Sequence, residues 1–198
     1  MPLTNRHIVF DFGGVLMKHD KESCLNALRQ LMPDDVIANI LGFGNSKAGT
    51  LRTQFEIGAC SKRFFLDHVL ELCQPGTTEQ QLIDAWNKIH AGIPDEAWQM
   101  IKQLRAEGYH TYLMSNTDEI HWNHTLELYQ RQIETSFDDV FLSFELGMAK
   151  PAEPFFRHVA NVLGNGPTIF VDDMETNREA AEHFVGWHTC ATMQELRI

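Results

Sequence analysis

The sequence predicts an α/β protein: a doubly wound parallel sheet with a small α-helical domain inserted after its first strand. Three observations carry this. Ile8-Val9-Phe10 is apolar without alternation, as in a strand buried on both faces of a parallel sheet, and it stops on Asp11 before a Gly13-Gly14 turn. From residue 93 onward, short apolar runs alternate with segments of helical period, the mark of βα units. Between residues 20 and 92 every apolar pattern is helical. The boundaries follow: residues 1–17 and 93–198 form the core, and residues 18–92 the helical cap.

Within the insert, Cys24, Leu25, Leu28 and Leu31 lie at helical spacing up to Pro33. Asp34-Asp35 caps a helix through Ile37, Ile40 and Leu41, and residues 42–45 form a loop. No strand precedes the loop's Gly-x-Gly, so it is not a nucleotide fingerprint. Leu51, Phe55 and Ile57 precede a Gly58 stop, and Ser61 caps a run with Phe64, Phe65, Val69 and Leu70. Thr78 and Gln81 make a capping box ahead of Leu82, Ile83, Trp86 and Ile89.

After Pro94, Asp95-Glu96 opens a helix with Trp98, Ile101 and Leu104 on one face, ended by Gly108. A second strand over 109–114 stops on Ser115-Asn116-Thr117. A polar helix with Leu126 and Leu128 inside comes next, then a third strand region over 137–144. Lys150-Pro151 lies in a loop before a helix carrying Phe155, Phe156 and Val159. The fourth strand, 168–171, stops on Asp172-Asp173, and a helix and a short last strand over 188–191 follow.

Composition narrows the function. With 27 acidic and 16 basic residues the net charge is −11, which opposes nucleic acid as a partner but leaves room for a small anion in a locally positive pocket. No apolar run approaches the roughly 20 residues of a membrane span, and no basic flank with an apolar run marks a secretory signal. The four cysteines form no CxxC pair and read as reduced packing thiols. A cytoplasmic location is expected.

Chemistry gathers at the strand ends. Asp11, Ser115-Asn116, Lys150 and Asp172-Asp173 each follow a strand, and a doubly wound sheet brings such positions to one edge. Each is weak alone: a turn serine, a solvated lysine, an N-cap pair. Together they place three carboxylates side by side, which repel or hold protons unless a cation joins them. A hard divalent ion suits oxygen ligands, and Mg²⁺ is the natural one beside phosphate. Lys150 adds a point charge, and the Ser115 hydroxyl with the next backbone N–H can hold anionic oxygens. The set suits phosphoryl transfer through an aspartyl-phosphate.

The ordered motifs VFDFGGVL, LMSNT, GMAKP and FVDDMETN resemble the haloacid dehalogenase-like hydrolases, over essentially the whole chain. They are most similar to the subclass with a helical cap between the first motif and the second strand. The resemblance implies a Rossmann-like core and a Mg²⁺-dependent phosphatase acting on a small phosphorylated metabolite, a sugar phosphate being one candidate. It implies Asp11 as nucleophile, Ser115 and Asn116 as phosphoryl contacts, and Lys150 as the neutralising cation. Asp173 would be a metal ligand together with Asp11, with Asp172 as a ligand or its neighbour; the Gly13 carbonyl would be another. Asn177 matches a position often acidic in the family.

One departure stands out. Phosphatases of the family usually carry an Asp, as general acid and base, where this chain has Gly13. His19 and Asp20 are the nearby substitutes. The alternatives are a haloacid dehalogenase, which needs no metal and so leaves Asp172-Asp173 unexplained, and a catalytically weak binding module. His121 and His124, three apart, could hold a metal, but no third ligand is evident and an exposed polar helix start is expected. The cap is expected to close over the sheet edge on hinges near 17–20 and 91–94.

Overall fold

The computed structural model describes residues 6–41 and 51–196. Among the described residues, β1 (Arg6–Phe10) is followed by the helices α1 (Lys21–Arg29), α2 (Asp34–Leu41), α3 (Leu51–Glu56), α4 (Lys62–Glu71) and α5 (Glu79–Asn87). Next come α6 (Asp95–Ala106), β2 (Tyr109–Ser115), α7 (Glu119–Ser136), β3 (Asp139–Leu142), α8 (Ser143–Leu146) and α9 (Glu153–Leu163). Then come β4 (Thr168–Val171), α10 (Glu175–Val185), β5 (His188–Cys190) and a 3₁₀ turn over Met193–Glu195. The strands form one sheet in the order β3-β2-β1-β4-β5, and every pairing is parallel.

The lack of alternation in β1 has the expected cause. Ile8 and Phe10 enter one core with Ile101, Leu104 and Leu113, while Val9 enters the opposite one with Phe155, Phe156 and Phe170. A third core, in the insert, is built from Leu28, Phe55, Phe65, Leu82 and Trp86, and Ile120 of α7 packs into it. The insert is therefore seated on the sheet domain by apolar contact as well as by its linkers.

Those linkers form a ribbon. Lys18 donates from its backbone to Gly92 (3.0 Å), Ala91 to Lys18 (2.8 Å) and Asp20 to Ile89 (2.8 Å), with a bridge between His19 and His90. Local signals act as the sequence predicts: the Ser61 hydroxyl accepts from Phe64 N, and both halves of the Thr78/Gln81 capping box are present.

Three expectations need correction. The third strand is Asp139–Leu142 rather than 137–144, because Ser143 starts a helical turn and its hydroxyl donates to the carbonyls of Glu56 (2.5 Å) and Thr117 (3.0 Å). Leu128 lies 53% exposed instead of inside. It lies roughly half a helical turn from Leu126, while Ile120, Trp122 and Thr125 take the buried face; Tyr129 has non-helical backbone angles and breaks the phase before Ile133, which is buried too. Asp34 and Asp35 stand inside the first turn of α2 rather than before it, where their charge still suits the helix dipole. Phe64 is 56% exposed, while Phe65 and Trp86 are core; Phe43 and the 42–45 loop lie outside the described residues.

All four cysteines are free, and burial pushes the Cys24 and Cys190 thiols up to about 11. Among the described residues no helix is long and apolar enough to cross a membrane.

Candidate active site

Register builds the site. Phe10 pairs with Val171 and with Leu113, so Asp11 and Asp172 leave neighbouring strands side by side and Ser115 ends the strand on the other flank. β1 and β4 send their connections in opposite directions along the sheet, which opens a crevice at their carboxyl ends. Asp11 stands at that crevice, its backbone N–H bonded to Val171 O at 2.8 Å.

Lys150 enters from the loop before α9 and joins the two carboxylates. Its Nζ lies 2.7 Å from Asp11 Oδ1 and 2.7 Å from Asp172 Oδ2, with the lysine side chain 1% exposed. Burial alone would favour the neutral amine, but the charges of Asp11 and Asp172 outweigh it and raise its pKa, so it stays protonated. Its position is set by Asn116, whose side-chain amide donates to Lys150 O (2.8 Å) and accepts from Lys150 N (2.8 Å). The Asn116 side chain thus clamps the lysine loop, which leaves the phosphoryl contact expected of its backbone N–H untouched. The clamp spans 34 residues, and only its first half, a polar residue after a strand, is visible in sequence.

The carboxylates divide in two. Asp172, fully buried, accepts from Met174 N (2.9 Å), from Lys150 and from Asn177 Nδ2 (3.0 Å to each oxygen). Its lone pairs are largely used, and it acts as the anchor of Lys150 with Asn177 behind it. Asp11 Oδ1 accepts from Lys150 and from Phe12 N (2.7 Å), while no described donor reaches Oδ2. Asp173 is exposed. One carboxylate atom from each of the three lies within 4.8 Å of the others.

The charge balance asks for a cation. Three carboxylates and one ammonium leave a net charge of −2 if all are ionised. Burial, opposed by Lys150 but helped by Asp172, raises the Asp11 carboxyl to about 6. A divalent ion between Asp11 and Asp173 would neutralise the excess and return Asp11 to its anionic form. The oxygen-only donor set fits Mg²⁺.

The Gly13-Gly14 turn has no room for side chains. A β-carbon on Gly14, where φ is +84°, would lie 2.4 Å from Asp173 Oδ2. One on Gly13 would lie 2.5 Å from His19 Cε1 and 2.6 Å from His19 Nε2. His19 and Asp173 thus rest on adjacent residues of the same turn. Asp20, the other sequence candidate, is spent as the N-cap of α1, accepting from Ser23 N (2.9 Å) and Ser23 Oγ (2.6 Å).

Beside the site, the insert is tied to the core by a buried network that the sequence reading missed. Asp118 caps α7 through Ile120 N (2.9 Å) and His121 N (3.0 Å), and pairs with His121 Nδ1 at 2.7 Å. It also accepts from Trp86 Nε1 of α5 at 3.1 Å, while His121 Nε2 meets Trp86 O at 3.1 Å. The expectation of an exposed start to this helix is therefore wrong: the His121 side chain is 15% exposed and that of Asp118 1%. An Asp immediately before a helical pattern is the one local signal of it. The ring of His90 lies 4.8 Å from that of His121 and 6.1 Å from that of His124, yet among the described residues these imidazoles do not converge as metal ligands. Burial first, then His121 and His19, push His90 down to about 3.

A model of the haloacid dehalogenase-like hydrolases matches residues 6–184. The D-ribitol-5-phosphate phosphatase of Bacteroides thetaiotaomicron is 28% identical over 179 residues, 87% of this chain and 84% of that protein. A crystal structure of a haloacid dehalogenase (HAD) family enzyme from the same organism, in complex with magnesium and inorganic phosphate, aligns with a TM-score of 0.80 at 28% identity, over 94% of this chain and 93% of that one. The L-2-haloacid dehalogenase of Xanthobacter autotrophicus shares the fold, with a TM-score of 0.59 at 17% identity over 93% of this chain and 76% of that one. A sheet whose strand ends gather these groups, and a family match that begins on β1 and ends in α10, lead to one assignment: the chain belongs to the haloacid dehalogenase-like hydrolases.

Proposed function

We infer that the protein is a Mg²⁺-dependent phosphatase acting on a small phosphorylated metabolite, with Asp11 as the nucleophile. The observation that carries this is the Lys150 ammonium at 2.7 Å from both Asp11 and Asp172, beside a third carboxylate, Asp173, that forms no ion pair among the described residues. The relatives support it, since one is named a phosphatase and another was crystallised with magnesium and phosphate.

In this reading Asp11 and Asp173, with the Gly13 carbonyl, hold the ion, and Asp172 backs the site by anchoring Lys150. Bound Mg²⁺ supplies charge neutralisation for the phosphoryl oxygens and the nucleophile. Lys150 holds Asp11 in place and offers positive charge to the incoming phosphoryl group. The Ser115 hydroxyl, at the end of β2, contacts a phosphoryl oxygen. Asp11 attacks phosphorus, giving the aspartyl-phosphate that water then hydrolyses. Residues 18–92 act as a cap that covers the crevice and shapes selectivity, and an alditol or sugar phosphate is the substrate class favoured by the ribitol-phosphate relative.

The test is phosphate release from D-ribitol 5-phosphate, other sugar phosphates and an aryl phosphate, with Mg²⁺ and with chelator, in wild type and Asp11→Asn. Metal-dependent release that disappears in Asp11→Asn is expected. No release from any of these compounds sinks the reading. Halide release from 2-haloacids without metal would replace it with a dehalogenase.

A further inference from the structure

We propose that Ser143 is a positioning residue that couples the seating of the helical insert to the placement of Lys150, through a chain of hydrogen bonds from the end of α3 to the nucleophile. This rests on the phosphatase reading and adds to it how the insert acts on the reacting groups.

Three consecutive residues after β2 each hold something distant. Asn116 clamps the backbone of Lys150 with two hydrogen bonds of 2.8 Å. Thr117 donates from its N–H to Ser143 Oγ at 2.9 Å. Asp118 accepts from the Trp86 indole of the insert at 3.1 Å. The segment between Ser115 and α7 is thus tied to the lysine loop at its first residue and toward the insert at the next two.

Ser143 is the joint. It opens α8 directly after β3 and is fully buried. Its hydroxyl has one proton and faces two carbonyls, Glu56 O at 2.5 Å and Thr117 O at 3.0 Å. Glu56 is the last residue of α3, where a helix leaves its carbonyls without intrahelical donors. With α3 seated, the shorter contact takes the proton and Oγ keeps its lone pairs for Thr117 N. With α3 away, the proton turns to Thr117 O. The seating of the insert and the setting of Thr117 therefore meet at one oxygen atom. A second contact fixes the same seam. Gly58, at φ +66°, lies so near α8 that a β-carbon there would stand 2.1 Å from Phe144 O.

From Thr117 the chain is short. The preceding residue, Asn116, carries Lys150, and Lys150 Nζ holds Asp11 Oδ1 at 2.7 Å. Every link from Glu56 O to the Lys150 backbone joins neutral groups, so the coupling is one of position rather than of charge. A displaced ammonium weakens stabilisation of the charge that develops in the transition state, and the loss shows in kcat.

The experiment is steady-state kinetics of Ser143→Ala, Gly58→Ala, Asn116→Ala and the double variant Ser143→Ala/Asn116→Ala. The substrate is D-ribitol 5-phosphate, or whichever ester of the panel above wild type turns over fastest, at a temperature where urea melts show each variant folded. Ser143→Ala breaks the joint from the core side. Gly58→Ala wedges α3 from the insert side and replaces no group of the site. Each should lower kcat by about 10–10²-fold with a far smaller change in KM. In the double variant the losses should not multiply: kcat should stay within about threefold of Asn116→Ala alone, because both act through Lys150. Wild-type kcat in Ser143→Ala or in Gly58→Ala, a loss confined to KM, or multiplying losses in the double variant overturns the coupling while the phosphatase reading stands. A wild type that releases phosphate from no ester removes both.

Discussion

Replacing Asp118 by Ala should detach the insert from the sheet domain more effectively than any single apolar substitution in the seam. The side chain does three jobs at once. It satisfies two backbone donors at the start of α7, a cap whose loss costs about 1 kcal/mol. It balances His121, and removing one partner of a buried ion pair costs about 3–5 kcal/mol because the other charge is stranded. It accepts from the Trp86 indole, and an orphaned buried donor costs about 1–3 kcal/mol. The terms share one carboxylate and His121 can shed its proton, so they do not add; a net loss of about 4 kcal/mol is expected. Asp118→Asn keeps the cap and an acceptor for Trp86 but removes the charge, and should lose about half as much. Urea unfolding followed by tryptophan fluorescence reads both, since Trp86 and Trp122 lie at this seam. A loss below about 1 kcal/mol in Asp118→Ala would refute the network as the tie between insert and core.

Three further outcomes follow from the same geometry. Burial lowers the pKa of His121, but Asp118 more than compensates and raises it, while His121 holds that of Asp118 down against its own burial. The histidine's contribution is therefore complete below its unfolded value and lost as pH rises through the raised one; the aspartate's is present above its unfolded value and lost as pH falls. Stability from the pair should be greatest between roughly pH 4 and 6.5, and Asp118→Asn should flatten the profile in urea melts across that range. Lys150→Met leaves Asp11 and Asp172 facing each other without a cation, which should cost about 3–5 kcal/mol in thermal or urea unfolding and abolish turnover. Asn116→Ala frees the backbone that carries Lys150, and a displacement of about 1 Å should lower kcat up to about 10²-fold with a smaller change in KM, read in steady-state kinetics.

By itself the sequence determined the frame. Apolar runs without alternation mark strands covered on both faces, and Ile8, Val9 and Phe10 do enter two different cores. A parallel doubly wound sheet must bring its strand ends to one edge, which is why the sequence alone puts Asp11, Ser115 and Asp172 together. Caps such as Thr78/Gln81 were legible because all their atoms lie within one turn. Tertiary structure decided what depends on distant partners. Whether Asn116 faces a ligand or the Lys150 backbone is settled 34 residues away. Whether His121 is exposed depends on Trp86 and Asp118 meeting across the seam. Leu128 is exposed for a local reason: two residues place it roughly half a helical turn from Leu126, which packs on the core. The ring over Gly13 comes from the linker ribbon, whose two strands lie some 70 residues apart in sequence and pair only once the insert is folded. Periodicity and capping are local and survive in the sequence; the partners of a polar side chain are a property of the packed chain.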